Sequence, residues 1–345
     1  MSTLKAPFPY FGGKATVTAE VWARLGDVAN YVEPFFGSGA VLLARRHAPR
    51  IETVNDADGN VSNFWRAVKL DPAAVARWID YPVSERDLEA RHYWLITEGR
   101  RRLDACMGDP DGHDAQVAGW WCWGMCSWIG SGWCFGEGPW RWDAKAKEWR
   151  DDARDAGMGI NRKRPHLGNA GRGIKRQRPH LGDAGMGINR QRPHLGNAMG
   201  EDLIHALAAR LANVRICCGD WARVTGDSVT NRNGITGVFL DPPYSDAAYR
   251  DNTLYAVDSG TVAVAAAAWA REAGKHPLMR IAFCGYEGEH AFPGWREHRW
   301  KAKGGYGSQG EEDGRGRANA RREVVWFSPA CLGGQMGLFE ERRGS

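Results

Sequence analysis

The chain of 345 residues has no apolar run near the ~20 residues that a membrane-spanning helix requires. Its start, Met1-Ser2-Thr3-Leu4-Lys5, lacks the apolar stretch of a secretory leader. Both absences read as a soluble, cytoplasmic protein. The 8 cysteines follow no regular framework, so free thiols in a reducing compartment are expected rather than a disulfide scaffold. Cys122, Cys126 and Cys134 match no standard zinc spacing and read as core cysteines, which leaves no metal site. Neither apolar nor charged residues are scarce: 43% hydrophobic and 25% charged content suits a folded chain, and the length suits two domains.

Strong net charge is lacking too, but the modest +5 hides an uneven distribution. Residues 157–198 hold nine bases and the single acid Asp183, a net +8 that leaves −3 for the rest. This segment contains three copies of a 14-residue repeat, each with the core Gly-Ile-(Asn/Lys)-Arg-(Lys/Gln)-Arg-Pro-His-Leu-Gly. Each copy is broken by Pro and Gly and offers one Ile and one Leu, too little to bury a solenoid core. A basic arm that orders on a polyanion fits better, with Arg162, Lys163, Arg164, Arg176, Arg178, Arg190 and Arg192 as phosphate or base contacts. Just before it, residues 119–149 hold eight of the 17 tryptophans, read as a small packed subdomain from which one or two rings could stack on nucleic acid.

The chemistry gathers at the two ends. The run Ile235 to Leu240 reads as a buried parallel strand and delivers Asp241-Pro242-Pro243-Tyr244 to its carboxyl end, where open α/β sheets bind ligands. The prolines stiffen the loop and leave its carbonyls free to accept. An aspartate, a rigid carbonyl and a tyrosine ring can hold a flat nitrogen heterocycle by its exocyclic amine, although Asp and Pro alone also make ordinary turns. Upstream, Tyr31-Val32-Glu33-Pro34-Phe35-Phe36-Gly37-Ser38-Gly39 reads as strand and glycine turn, followed by a helix over 40–47. This turn lacks the full dinucleotide-binding glycine spacing, and Glu33 would repel a pyrophosphate while suiting a cationic cofactor with an amino group.

The strand over 51–56 ends in Asp56, about 20 residues past the glycine turn, where an acid commonly binds ribose hydroxyls. Asp58 is read as the cap of a helix over 59–69. A long charged helix is expected over 84–104 and an amphipathic one over 201–213. The strand over 215–218 leads to Asp220 and Trp221, an acceptor for an adenine amine and a ring to lie against it. A helix over 260–273 and strands over 278–284 and 322–328 complete the alternation. It predicts a doubly wound, mostly parallel, Rossmann-like sheet formed by residues 1–70 and 201–330, interrupted by an inserted region over 71–200 and followed by a tail over 331–345.

Taken together and in this order, Tyr10-Phe11-Gly12-Gly13-Lys14, the Glu33 to Gly39 turn, Asn55-Asp56, Gly219-Asp220-Trp221 and Asp241-Pro242-Pro243-Tyr244 resemble the motifs of the Dam-type DNA adenine-N6 methyltransferases. The resemblance covers roughly 5–70 and 201–328; the middle departs from the family's usual sequence. It implies S-adenosylmethionine as cofactor, with Tyr10, Lys14, Glu33, Phe35, Gly37, Gly39, Asp56, Asp220, Trp221 and Asp241 around it and Glu33 on the methionine ammonium. It implies double-stranded DNA as partner and 71–200 as the target-recognition region. Asp241 and the Pro242 carbonyl would accept the N6 hydrogens of a flipped adenine stacked on Tyr244, in a short specific sequence. A restriction partner, replication marking or a phage evading host cleavage would all fit such an activity. The chain has no Pro-Cys step, which argues against cytosine-C5 transfer. Cytosine-N4 transfer, and a non-catalytic DNA-binding scaffold, are the alternatives.

Overall fold

The computed structural model describes residues 4–10, 14–47, 50–107, 109, 111–128, 133–134, 140–143, 148–151, 198–243, 260–300 and 322–333. The chain divides into two compact units. One comprises 1–6, 10–58 and 210–345, the other 7–9 and 59–209. The boundaries drawn from sequence lay at 70 and 200; the compact units divide at 58/59 and 209/210.

The first unit begins with α1 (Thr18–Leu25), β1 (Asn30–Glu33), the single turn α2 (Ala40–Leu43) and β2 (Ile51–Asp56). The helix expected to run to His47 stops at Leu43. Beyond it, Arg45 turns inward, and its guanidinium meets the Glu52 carboxylate at 3.0 Å and the Val28 carbonyl at 2.7 Å. Arg210 grips the same carboxylate at 2.7 and 2.8 Å, so two guanidiniums compensate one buried acid at 1% exposure.

The chain then builds the second unit with α3 (Gly59–Leu70), α4 (Pro72–Ile79), α5 (Glu85–Trp94), a π turn (Leu95–Gly99), α6 (Arg100–Met107) and α7 (Ala115–Ser127). The long helix expected over 84–104 is thus real but carries a one-turn bulge. Ser84 starts it, its hydroxyl accepting the Asp87 N–H. Phe8, Phe64, Trp65 and Trp121 form an edge-to-face core here, with Phe8 4.9 Å from Trp121 and 5.1 Å from Phe64. Trp121, Trp123 and Trp133 are all buried, so these rings of the tryptophan-rich block are packing rings. Cys122 and Cys126 are buried on the same helix. Gly124 makes room for Trp133, whose ring occupies the space a Cβ would take. A hairpin, β3 (Trp140–Asp143) and β4 (Glu148–Asp151), was not expected from sequence; it sets Trp142 opposite Trp149.

Helix α8 (Ala198–Leu211) leads back to the first unit, with Ile204, Leu207 and Leu211 buried on one face as the amphipathic pattern predicts. There follow β5 (Val214–Cys218), β6 (Thr236–Leu240), α9 (Gly260–Ala273), β7 (Met279–Tyr286), β8 (Arg296–Arg299) and β9 (Glu323–Phe327). The seven-stranded sheet has the order β5-β2-β1-β6-β7-β9-β8. Neighbours from β5 to β7 are parallel, and β9 runs antiparallel to both β7 and β8. This is the mostly parallel α/β sheet expected from the sequence, with the short edge strand β8 as an addition. Val238 and Leu240 of β6 and Ile281 and Phe283 of β7 pack with Ala266, Ala267 and Ala270 of α9. Alanines on that helix let it lie close to the sheet. Because five strands are parallel, Glu33, Asp56, Cys218 and Leu240 all end at one edge, and four of the five motifs lie there; the Tyr10 to Lys14 motif precedes α1.

Candidate active site

A cavity of about 280 Å³ opens at that edge, entirely within the first unit. Its walls come from the loops after β1, β2, β5 and β6. Of the residues singled out from sequence, Tyr10, Lys14, Glu33, Phe35, Gly37, Asp56, Asp220, Trp221 and Asp241 line it. Gly39 lies behind, where its φ of +64° turns the chain into α2 beneath the Phe36 ring. Pro242 is buried, and Pro243 rather than Pro242 faces the cavity. Tyr244, together with Phe11, Gly12 and Gly13, lies outside the described residues, as do Arg162, Lys163, Arg164, Arg176, Arg178, Arg190 and Arg192.

The glycine turn is held by an acid. Asp56 receives the Gly37 N–H on one carboxylate oxygen at 2.8 Å and the Asp58 N–H on the other at 2.9 Å. Gly37 has φ +48°, and a Cβ there would come within 2.6 Å of the Tyr10 ring, so only glycine allows the turn and the ring to coexist. Asn55 ties two loops together. Its amide donates to the Pro34 carbonyl at 3.1 Å and the Gly219 carbonyl at 2.9 Å. Its Oδ1 is buried without a hydrogen-bond partner among the described residues. Sequence reasoning placed Asn55 in a motif but gave it no role; a side chain that bridges residues 21 and 164 positions away has no local signal.

Burial raises the affinity of two of these carboxyls for protons. The Glu33 carboxyl is held well above its ordinary value by burial; it accepts the Tyr31 hydroxyl at 2.8 Å, a bond that opposes the shift. Asp56 retains some exposure into the cavity, yet burial, with Asp58 beside it, pushes its pKa to about 7. Asp220 accepts the Ala222 N–H at 2.8 Å and so caps the short 3-10 turn that presents Trp221. The Trp221 and Phe35 rings stack at 6.1 Å with 29° between planes, forming a flat apolar wall. Phe239 and Val262 add apolar surface that no motif announced.

At the β6 end, the Lys14 ammonium lies 3.0 Å from the Asp241 carboxylate and 3.7 Å from Glu323 on β9. Glu323 was not expected. It carries no motif, and only the antiparallel direction of β9 brings its first residue to this edge. Among the described lining residues, five acidic side chains (Glu33, Asp56, Asp58, Asp220 and Asp241) accompany one ammonium, Lys14.

Residues 10–106 match the family model of the D12 class N6 adenine-specific DNA methyltransferases. This segment, less than a third of the chain, is similar to the D12-class methyltransferases. The class is an enzyme family that uses S-adenosylmethionine to methylate adenine in DNA, in agreement with the resemblance read from the motifs. The match covers the Tyr10 to Lys14 stretch, the glycine turn, Asn55-Asp56 and the helices up to α6. No curated protein matches the chain. No helix among the described residues is long and apolar enough to cross a membrane.

Proposed function

We propose that the cavity binds S-adenosylmethionine and that the loop after β6 presents adenine N6 of double-stranded DNA for methylation. The observation that carries this reading is the set of five acidic side chains against one ammonium around a flat aromatic wall. Such a site attracts a cation and repels a pyrophosphate. The cofactor suits the residues present: its sulfonium and ammonium match the acids, its ribose hydroxyls can donate to Asp56, and its adenine can lie along Phe35 and Trp221. The Asn55 Oδ1 is compatible with the fit: it is one of eleven buried side-chain polar atoms without a hydrogen-bond partner among the described residues, and Asn55 lines the cavity. When bound, S-adenosylmethionine supplies an electrophilic methyl group.

The protein's own part is to hold and activate the amine. An adenine inside the duplex has its amine buried in pairing and stacking, so the base must be flipped out. The Asp241 carboxylate and the Pro242 carbonyl accept the two N6 hydrogens and draw the nitrogen lone pair out of ring conjugation. Tyr244 stacks on the base. The proton that N6 loses on methylation leaves through the Asp241 carboxylate to solvent. No covalent enzyme intermediate is needed, and the acceleration comes from alignment and preorganised charge. Residues 71–200 serve target recognition, with the basic repeats on DNA phosphates.

The test is transfer of labelled methyl to unmethylated genomic DNA, followed by nucleoside analysis and mapping. N6-methyladenine confined to one short motif supports the reading; N4-methylcytosine overturns the base assigned to Asp241. Asp241→Ala should abolish transfer while DNA binding persists, and near-wild-type transfer in that variant would refute the mechanism.

A further inference from the structure

Lys14 is 4% exposed, and a buried ammonium is costly unless it is compensated. Two carboxylates share it. Asp241 arrives from the carboxyl end of β6 at 3.0 Å, and Glu323, itself 4% exposed, from the start of β9 at 3.7 Å. Strand β7 lies between them, and the Cys284 thiol and Tyr286 phenol on it feel Asp241, Lys14 and Glu323 electrostatically. Glu33 on β1 feels Asp241 as well. Among the described residues, Asp241 thus has one cation, Lys14, and two further acids, Glu33 and Glu323, in its neighbourhood.

A strong one-to-one pair with Lys14 would make Asp241 a weaker acceptor for an amine, because the ammonium withdraws the charge that the amine hydrogens need. A second carboxylate on the same ammonium offsets that loss and anchors Lys14 from the far side. We infer that Glu323 is a positioning residue for methyl transfer: it holds the Lys14 ammonium so that Asp241 stays fixed and electron-rich toward the target amine. This rests on the methyltransferase reading above and extends it to a strand that carries no recognised motif.

The full-length protein with Glu323→Gln, which keeps shape and removes charge, tests it. Three quantities are measured: single-turnover transfer rate at saturating DNA and S-adenosylmethionine, cofactor Kd by calorimetry, and Tm. The expected result is a fall in rate of roughly tenfold, equal to ~1.4 kcal/mol of barrier, with cofactor Kd and Tm little changed. Glu323→Asp, which restores the charge, should recover most of the rate. In a Lys14→Met background the Glu323→Gln change should alter the rate by less than about twofold, since the two residues act as one unit. A wild-type rate in Glu323→Gln, or an equal loss in both backgrounds, overturns the inference. Should Glu323→Gln lower Tm sharply, the Asp variant and the Lys14→Met cycle still decide, because a packing defect persists without Lys14. Wild-type protein that transfers no methyl to DNA would instead refute the underlying reading.

Discussion

Lowering the pH from 8 to 6 should weaken cofactor binding through Asp56. This carboxylate already accepts two backbone N–H groups, and its remaining exposed face is where ribose hydroxyls would donate. Donation favours the ionised form, so binding requires a carboxylate that burial keeps half protonated near pH 7. With a pKa of about 7, the apparent Kd scales by a factor of about 1.1 at pH 8 and about 11 at pH 6, a roughly tenfold loss. Calorimetry in buffers of different ionisation enthalpy should detect release of about half a proton on binding at pH 7. Glu33, also shifted upward, steepens the acid side. Asp56→Asn isolates the effect: its affinity should be lower at pH 8 but less dependent on pH. The ligand's own titration is common to both proteins and drops out of the comparison. A wild-type Kd that stays within twofold across this range, or an Asn variant with the same slope, would refute the role given to Asp56.

The same shift has a consequence for stability. The folded carboxyl keeps its proton to higher pH than the unfolded chain, whose carboxyl releases near pH ~4. Its contribution is neutral below that value and increasingly unfavourable as pH rises toward about 7, so cofactor-free Tm should fall over this interval more in wild type than in Asp56→Asn. Gly37→Ala meets both a left-handed φ and the Tyr10 ring; it should cost about 1–2 kcal/mol in denaturant unfolding and weaken cofactor binding. Asn55→Asp places a carboxylate against the Pro34 and Gly219 carbonyls in place of two N–H bonds; a loss of roughly 2–4 kcal/mol is expected by the same assay. Deleting residues 157–198 should flatten the dependence of log DNA affinity on log salt, by close to one unit for each phosphate that the basic repeats neutralise.

The motifs were legible in sequence because each holds its chemistry within a few consecutive residues. A strand that ends in Glu33-Pro34 or Asp241-Pro242 must turn there, and a parallel sheet must bring such ends to one edge. Alternation of apolar runs with amphipathic stretches was enough for the sheet class and for the parallel strands, whereas α4, α7, the β3–β4 hairpin and β8 were not read from it. The expectation of a cationic cofactor also rests on short-range chemistry, since acids at successive strand ends repel phosphate.

Other features depended on groups far apart in the chain. Helix α2 ends early because Arg45 is needed by Glu52 and Val28, a demand invisible in the helix itself. Phe8, only two residues before Tyr10 of the cavity, packs in the tryptophan core of the second unit. Asn55 clamps two loops through carbonyls that any residue could have supplied. Glu323 reaches Lys14 only because β9 runs against its neighbours, and strand direction is set by the connections and packing of the whole sheet. Local patterns thus determined which residue types line the cavity. Tertiary structure alone decided which distant side chains hold those residues in place, because such contacts depend on three-dimensional proximity and leave no periodicity in the chain.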